Sequence, residues 1–134
     1  LYIKDGYLVH DLNVGGGHEL MTASRKVPAG AHRLGLHVER LLRKEPPAKG
    51  ARTGVSEYTL TIDGEPVGSM QTQLGFHNFI SWSGLDIGRD RGSPVSRYEA
   101  PFEFTGKLLQ VTVVMHDDQK LDGAGVGNAQ MARQ

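Results

Sequence analysis

The stretch Gly88-Arg89-Asp90-Arg91-Gly92-Ser93-Pro94, followed by Tyr98, concentrates side chains able to grip an anion. Guanidiniums hold a sulfate through planar paired hydrogen bonds, and glycines beside them let backbone amides approach it. Arg89, Asp90, Arg91 and Tyr98 are therefore the candidate ligand-binding set. A competing reading makes 88–101 a connection between sheets whose Arg and Asp satisfy backbone groups, with Phe102 and Phe104 pinning it to the core. Asp86 and Asp90, four apart across a glycine turn, are the candidate metal ligands, since paired carboxylates supply the hard oxygens that calcium prefers. Loop carboxylates also pair with neighbouring arginines or accept from turn amides, which is the plainer use of Asp90.

Other chemistries find less support. Nucleophilic catalysis needs a Ser or Cys at a constrained elbow with a base in reach, and the chain has neither Gly-x-Ser-x-Gly nor any Cys. No catalytic residue is assigned. Zinc is disfavoured because His-Glu-x-x-His is absent and the pairs His32/His37 and His10/His18 lack a same-face ligand spacing. Asp118 fails as the start of a calcium loop, with Lys120 at the third position and Ala129 where a Glu belongs. The basic run Arg40, Arg43, Lys44, Lys49 and Arg52 contains no aromatic on which a base could stack, so nucleic acid is not the expected partner. Trp82 with Tyr98 or Phe79 could form a sugar-stacking platform, although a lone Trp is usually core.

These side chains must be positioned by strands. Asp5-Gly6 and Asp63-Gly64 each stand between apolar runs, the signature of a two-residue hairpin whose central residues need positive φ. The first predicts strands over 1–4 and 7–13; the second joins 56–62, with Tyr58, Leu60 and Ile62 on one face, to 65–73. A third strand over 19–24 follows the Gly15-Gly16-Gly17 break. From His32 the alternation puts Leu34, Leu36 and Val38 on one face, and Gly35 within the run favours strand over a competing helix. Residues 43–54 read as an exposed loop. Residues 79–83 and 85–87 read as further short strands, and Lys107–Met115 as the most apolar strand, placed centrally. Seven to nine short strands with regular turn signals predict an all-β fold: a two-sheet antiparallel β-sandwich of jelly-roll or concanavalin-like type over 1–115, with a polar tail over 116–134.

Composition agrees with one domain. The chain has 134 residues, 38% hydrophobic and 22% charged, enough for a core without metal or disulfide staples. Fifteen Lys plus Arg balance fifteen Asp plus Glu, so no sequence-wide field attracts nucleic acid or an anionic membrane. No apolar run approaches the roughly 18–20 residues of a spanning helix, and the reading is a soluble domain. The absence of Cys leaves the compartment open between cytoplasm and periplasm. A start on Leu1, already in strand pattern, reads as a segment cut from a longer chain.

Several of these motifs occur together in a familiar order. Leu-Tyr-Ile-Lys-Asp-Gly-Tyr-Leu-Val-His at 1–10, Val-Pro-Ala-Gly-Ala-His at 27–32, Leu-Thr-Ile-Asp-Gly-Glu-Pro-Val at 60–67 and Leu-Asp-Ile-Gly-Arg-Asp-Arg-Gly-Ser-Pro-Val-Ser at 85–96, then Tyr98, Pro101-Phe102 and Phe104-Thr105-Gly106, resemble the extreme C-terminal region of large bacterial arylsulfatases. The resemblance covers Leu1 to about Met115. It implies a non-catalytic accessory domain of a sulfuric ester hydrolase, contributing stability or substrate positioning. The formylglycine signature Cys/Ser-x-Pro-x-Arg is missing from this chain, and the resemblance assigns the catalytic calcium or magnesium to the catalytic domain, leaving no cofactor here. The implied partners are that catalytic domain, in the same parent chain, and a sulfated or glycan substrate. The alternative is a stand-alone carbohydrate-binding module of lectin-like type.

Overall fold

The computed structural model describes residues 1–41, 55–72, 86–90, 92 and 94–115. Six strands form there: β1 (Tyr2–Lys4), β2 (Tyr7–Val14), β3 (Gly17–Lys26), β4 (Leu34–Leu41), β5 (Val55–Ile62) and β6 (Glu65–Thr72). They make two antiparallel sheets, β1-β2-β3 and β4-β5-β6, with no helix among the described residues. Both sheets are meanders in chain order.

The turns follow from their residues. Asp5 and Gly6 have φ of 54° and 83°, and Asp63 and Gly64 have 55° and 85°, the left-handed pair that lets a two-residue turn match the strand twist. Gly15 and Gly16, at 59° and 89°, close a third such turn between β2 and β3, steadied by Gly16 N donating to Asn13 Oδ1 at 3.0 Å. This turn lets β3 run from Gly17 to Lys26, longer at both ends than the predicted 19–24.

Alternation then sorts the faces. Leu8 and Leu12 of β2 with Met21 and Ala23 of β3 meet Tyr58, Leu60 and Ile62 of β5 and Val67 of β6 in one buried cluster between the sheets. β3 packs against β6, and the His10 ring of β2 stacks on Tyr58 of β5 at 5.1 Å between centroids. The strand orders therefore place β1 and β4 on the same flank. The observed arrangement is the expected all-β sandwich, and β4 is a strand as Gly35 suggested.

Three expectations do not match the structure. Asp86 and Ile87, the described part of the short strand expected over 85–87, lie in neither sheet. Lys107–Met115 belongs to neither sheet, and Leu108, Leu109, Val111, Val113, Val114 and Met115 are 49–85% exposed. Apolar side chains and high strand propensity select an extended backbone, but a ladder also needs a neighbour, which periodicity does not supply. Phe104 is largely exposed and so does not pin the preceding loop to the core; its N–H donates instead to Gly88 O at 2.7 Å. The readings for 43–54, for Trp82 and Phe79, and for the tail over 116–134 lie outside the described residues.

Candidate functional site

The outer face of the first sheet carries Tyr2 from β1, Asp11 and Asn13 from β2, and His18 from β3, brought together because Asn13 faces His18 across the ladder and Tyr2 faces Val9. Val95, Ser96, Tyr98 and Phe102, from the loop that follows Gly88, lie over this face. Ser96 Oγ donates to Asp11 Oδ2 at 2.6 Å, and Tyr2 Oη stands 2.9 Å from Ser96 Oγ. With its own hydrogen committed to the carboxylate, Ser96 accepts from Tyr2. His18 Nδ1 lies 2.8 Å from the same Asp11 Oδ2, and a neutral imidazole meets a carboxylate there by donating. Asn13 Nδ2 adds a bond to Val95 O at 3.1 Å.

This is a Ser, Asp and His arrangement in an order unsuited to nucleophilic catalysis. In a hydrolytic triad the imidazole stands between hydroxyl and carboxylate, taking the proton of one while oriented by the other. Here Asp11 stands in the middle, its side chain only 2% exposed, and Ser96 is buried. The hydroxyl hydrogen goes to a carboxylate, and His18 meets that carboxylate rather than Ser96 Oγ. The arrangement ties loop to sheet.

The sequence-derived ligand set divides. Asp90 is buried and fully engaged: Oδ1 accepts from Gly92 N at 3.2 Å, and Oδ2 accepts from Val95 N at 3.2 Å and from Tyr98 Oη at 3.0 Å. Burial, followed by the Asp90 carboxylate, pushes the Tyr98 phenol well above its usual range, so it remains a hydrogen-bond donor. The Tyr98 ring stacks on Phe102 at 4.4 Å and meets the Tyr2 ring edge-on at 5.1 Å; Phe102 meets Tyr2 edge-on at 5.7 Å. These three rings pack on one another. Arg89 is exposed beside Asp90, and Arg91 lies outside the described residues. As for a metal, Asp86 is half-buried at the start of the loop, while both oxygens of Asp90 already hold donors. No group of three or more His, Cys, Asp or Glu converges among the described residues.

Two further polar clusters were not singled out in the sequence. His10 is 8% exposed with no hydrogen-bond partner on either ring nitrogen among the described residues, and burial pushes it down to about 4. Its place on the Leu8/Leu12 phase of β2 was the available signal. On the far side, Asp63 works as a clamp: Oδ1 accepts from Arg33 N at 2.9 Å, Oδ2 meets His32 Nδ1 at 2.7 Å, and Asp63 N donates to Arg33 O at 2.7 Å. His32 Nε2 also faces Ala29 O at 3.3 Å. With acceptors at both ring nitrogens, the Asp63 bond foremost, His32 is raised above its usual range. Asp63 is lowered, first by the Arg33 amide and then by His32.

Comparison with protein-family models, with curated proteins and with solved structures finds no match to this chain, so the likeness to arylsulfatases rests on the motifs at 1–10, 27–32, 60–67 and 85–106.

Proposed function

We propose that the chain is a non-catalytic β-sandwich accessory module of an arylsulfatase-like sulfuric ester hydrolase, one that stabilises the enzyme or positions its substrate. The observation that supports this reading best is the saturation of Asp90 by Gly92, Val95 and Tyr98. Asp90 thereby knits the loop bearing the most specific sulfatase-like motif to itself, while Ser96 on Asp11 and Asn13 on Val95 O fasten that loop to its own sheet. Tyr2, Tyr98 and Phe102 spend their faces on each other, which argues against an aromatic platform for sugar. The chemistry of sulfate ester cleavage, with its formylglycine and its calcium or magnesium, falls to a catalytic domain in the parent chain.

The test joins the 134-residue chain to an arylsulfatase catalytic domain deprived of its own C-terminal region. The reading predicts a higher Tm and restored turnover on an aryl sulfate. Unchanged stability and unchanged turnover would overturn it, and glycan-array binding by the isolated chain would favour the lectin-like alternative.

A further inference from the structure

The fold sets the same dipeptide into the same kind of turn twice, with one difference. Asp5-Gly6 joins Lys4 to Tyr7, and Asp63-Gly64 joins Ile62 to Glu65, each closing a two-residue hairpin with nearly the same φ angles. The Asp63 carboxylate is taken: Oδ1 accepts from Arg33 N, and Oδ2 meets His32 Nδ1. Its own N–H donates to Arg33 O, so the residue is held on three sides. Asp5 is exposed, and its carboxylate has no hydrogen bond or ion pair among the described residues. Gly6 O accepts from Val27 N at 2.8 Å, a bond beyond the Asp5-Gly6 peptide that does not engage the Asp5 side chain.

In an Asp-Gly pair the backbone can attack its own side chain, because glycine has no Cβ to shield the nitrogen that follows the aspartate. The glycine nitrogen bonds to Cγ of the protonated carboxyl, the carboxyl oxygen leaves as water with the amide hydrogen, and a succinimide ring remains. Water then opens the ring. Addition at Cγ restores aspartate, whereas addition at the main-chain carbonyl leaves the chain running through Cγ as isoaspartate, with no net change of mass. The reaction needs a carboxyl that is free to turn and able to leave as water. At Asp63 the Arg33 and His32 contacts must first break, and they also hold the carboxyl in its ionised form, the poorer leaving group.

We infer that Asp5-Gly6 is a modification site, an aspartate that converts to isoaspartate in the folded chain, and that Arg33 and His32 protect Asp63-Gly64 from the same reaction. The change has a structural consequence. Isoaspartate adds one carbon to the backbone of a turn whose two residues set the register of the strands it joins. β1, three residues long, carries Tyr2, whose hydroxyl meets Ser96 and whose ring packs on Tyr98 and Phe102. Conversion at Asp5 therefore loosens β1 and, through Tyr2, the loop over the first sheet.

The test keeps the full chain folded in ¹⁸O-labelled water at mildly acidic pH. Each passage through the succinimide adds one heavy oxygen, and peptides covering the two turns report it by mass, with isoaspartyl forms eluting separately. Uptake at Asp5 should exceed that at Asp63 by about tenfold, the factor set by one net hydrogen bond. In urea, where the clamp is gone, the two sites should take up label at similar rates. His32→Ala should raise uptake at Asp63 and leave Asp5 unmoved. The chain fractionated for isoaspartate at position 5 should exchange amide hydrogens of 2–4 and 95–98 faster than the unmodified chain. Equal uptake at the two sites in the folded chain, the same ratio in urea as in the folded chain, or no uptake at Asp5 without urea would each overturn the proposal. Unchanged uptake at Asp63 in His32→Ala would overturn the protection, and unchanged exchange in the fractionated chain the loosening.

Discussion

Ser96 Oγ and Asp11 Oδ2 lie 2.6 Å apart although 85 residues separate them in the chain. That bond, with Tyr2 behind Ser96 and His18 beside Asp11, fastens the loop to the outer face of the first sheet. Ser96→Ala leaves the Tyr2 hydroxyl without its acceptor and the carboxylate with one donor fewer. The cost is about 1–3 kcal/mol, the range for stranding a buried polar group. Urea unfolding measures it; a midpoint equal to that of the unaltered chain would show that the contact does not hold the loop.

Asp90 and Arg89 are adjacent, yet their substitution separates fastening from ligand gripping. Asp90→Ala removes the acceptor of Gly92 N, Val95 N and Tyr98 Oη together. It is expected to lower stability by about 1–3 kcal/mol. Arg89→Ala, at an exposed position, should stay within about 0.5 kcal/mol of the unaltered chain. Fluorescence from Tyr98 and its neighbours during unfolding reads both. Equal effects of the two substitutions would contradict the assignment of Asp90 as the structural member of the pair.

His10 gives the domain a pH dependence of definite sign. Its folded pKa of about 4 lies below the ordinary 6.5, so between those values the unfolded chain takes a proton that the folded chain refuses. Stability contributed by this residue is full above pH 6.5 and falls as the pH drops toward 4, by at most about 1.4 kcal/mol per pH unit. His10→Leu should flatten stability across that window in chemical denaturation at stepped pH. An unchanged slope would place the buried charge elsewhere.

His32 works in the opposite sense, and its partner Asp63 in the same sense as His10 at lower pH. His32, raised, adds stability that is full below pH 6.5 and is lost as the pH climbs through its higher folded value; Asp63, lowered, adds stability that is full above about 3.8 and is lost as the pH falls through its own folded value. In ring-proton NMR titration His32 should therefore titrate above the ordinary histidine range and His10 below it. Asp63→Ala should bring His32 back toward that range while leaving His10 unmoved. If His32 keeps its raised value in that variant, the 2.7 Å contact is not its cause.

Some of the molecule is legible in the chain itself. Asp5-Gly6 and Asp63-Gly64 dictate their turns because few residue pairs accept two positive φ angles in succession, and the turns then fix the strands on either side. The phase of Tyr58, Leu60 and Ile62 gives the core face, and the same period places His10 inward with Leu8 and Leu12. Contacts set by tertiary folding are not legible in this way. Nothing local to Ser96 points to Asp11, and nothing in Lys107–Met115 tells that it joins neither sheet, since periodicity specifies a face and not a neighbour. The sulfatase-like loop shows both sides of this: its motif suggested Asp90 and Tyr98 as members of one ligand-gripping set with Arg89 and Arg91, while their use as each other's partner emerges only with the coordinates.

The central proposal is that, among the described residues, these facing sheets hold no assembled reaction centre. It is tested most directly by incubating the purified 134-residue chain with a chromogenic aryl sulfate, with and without calcium or magnesium, and following release of the phenol. The account predicts no release above the uncatalysed rate. Turnover by the isolated chain that disappears in Ser96→Ala would contradict it.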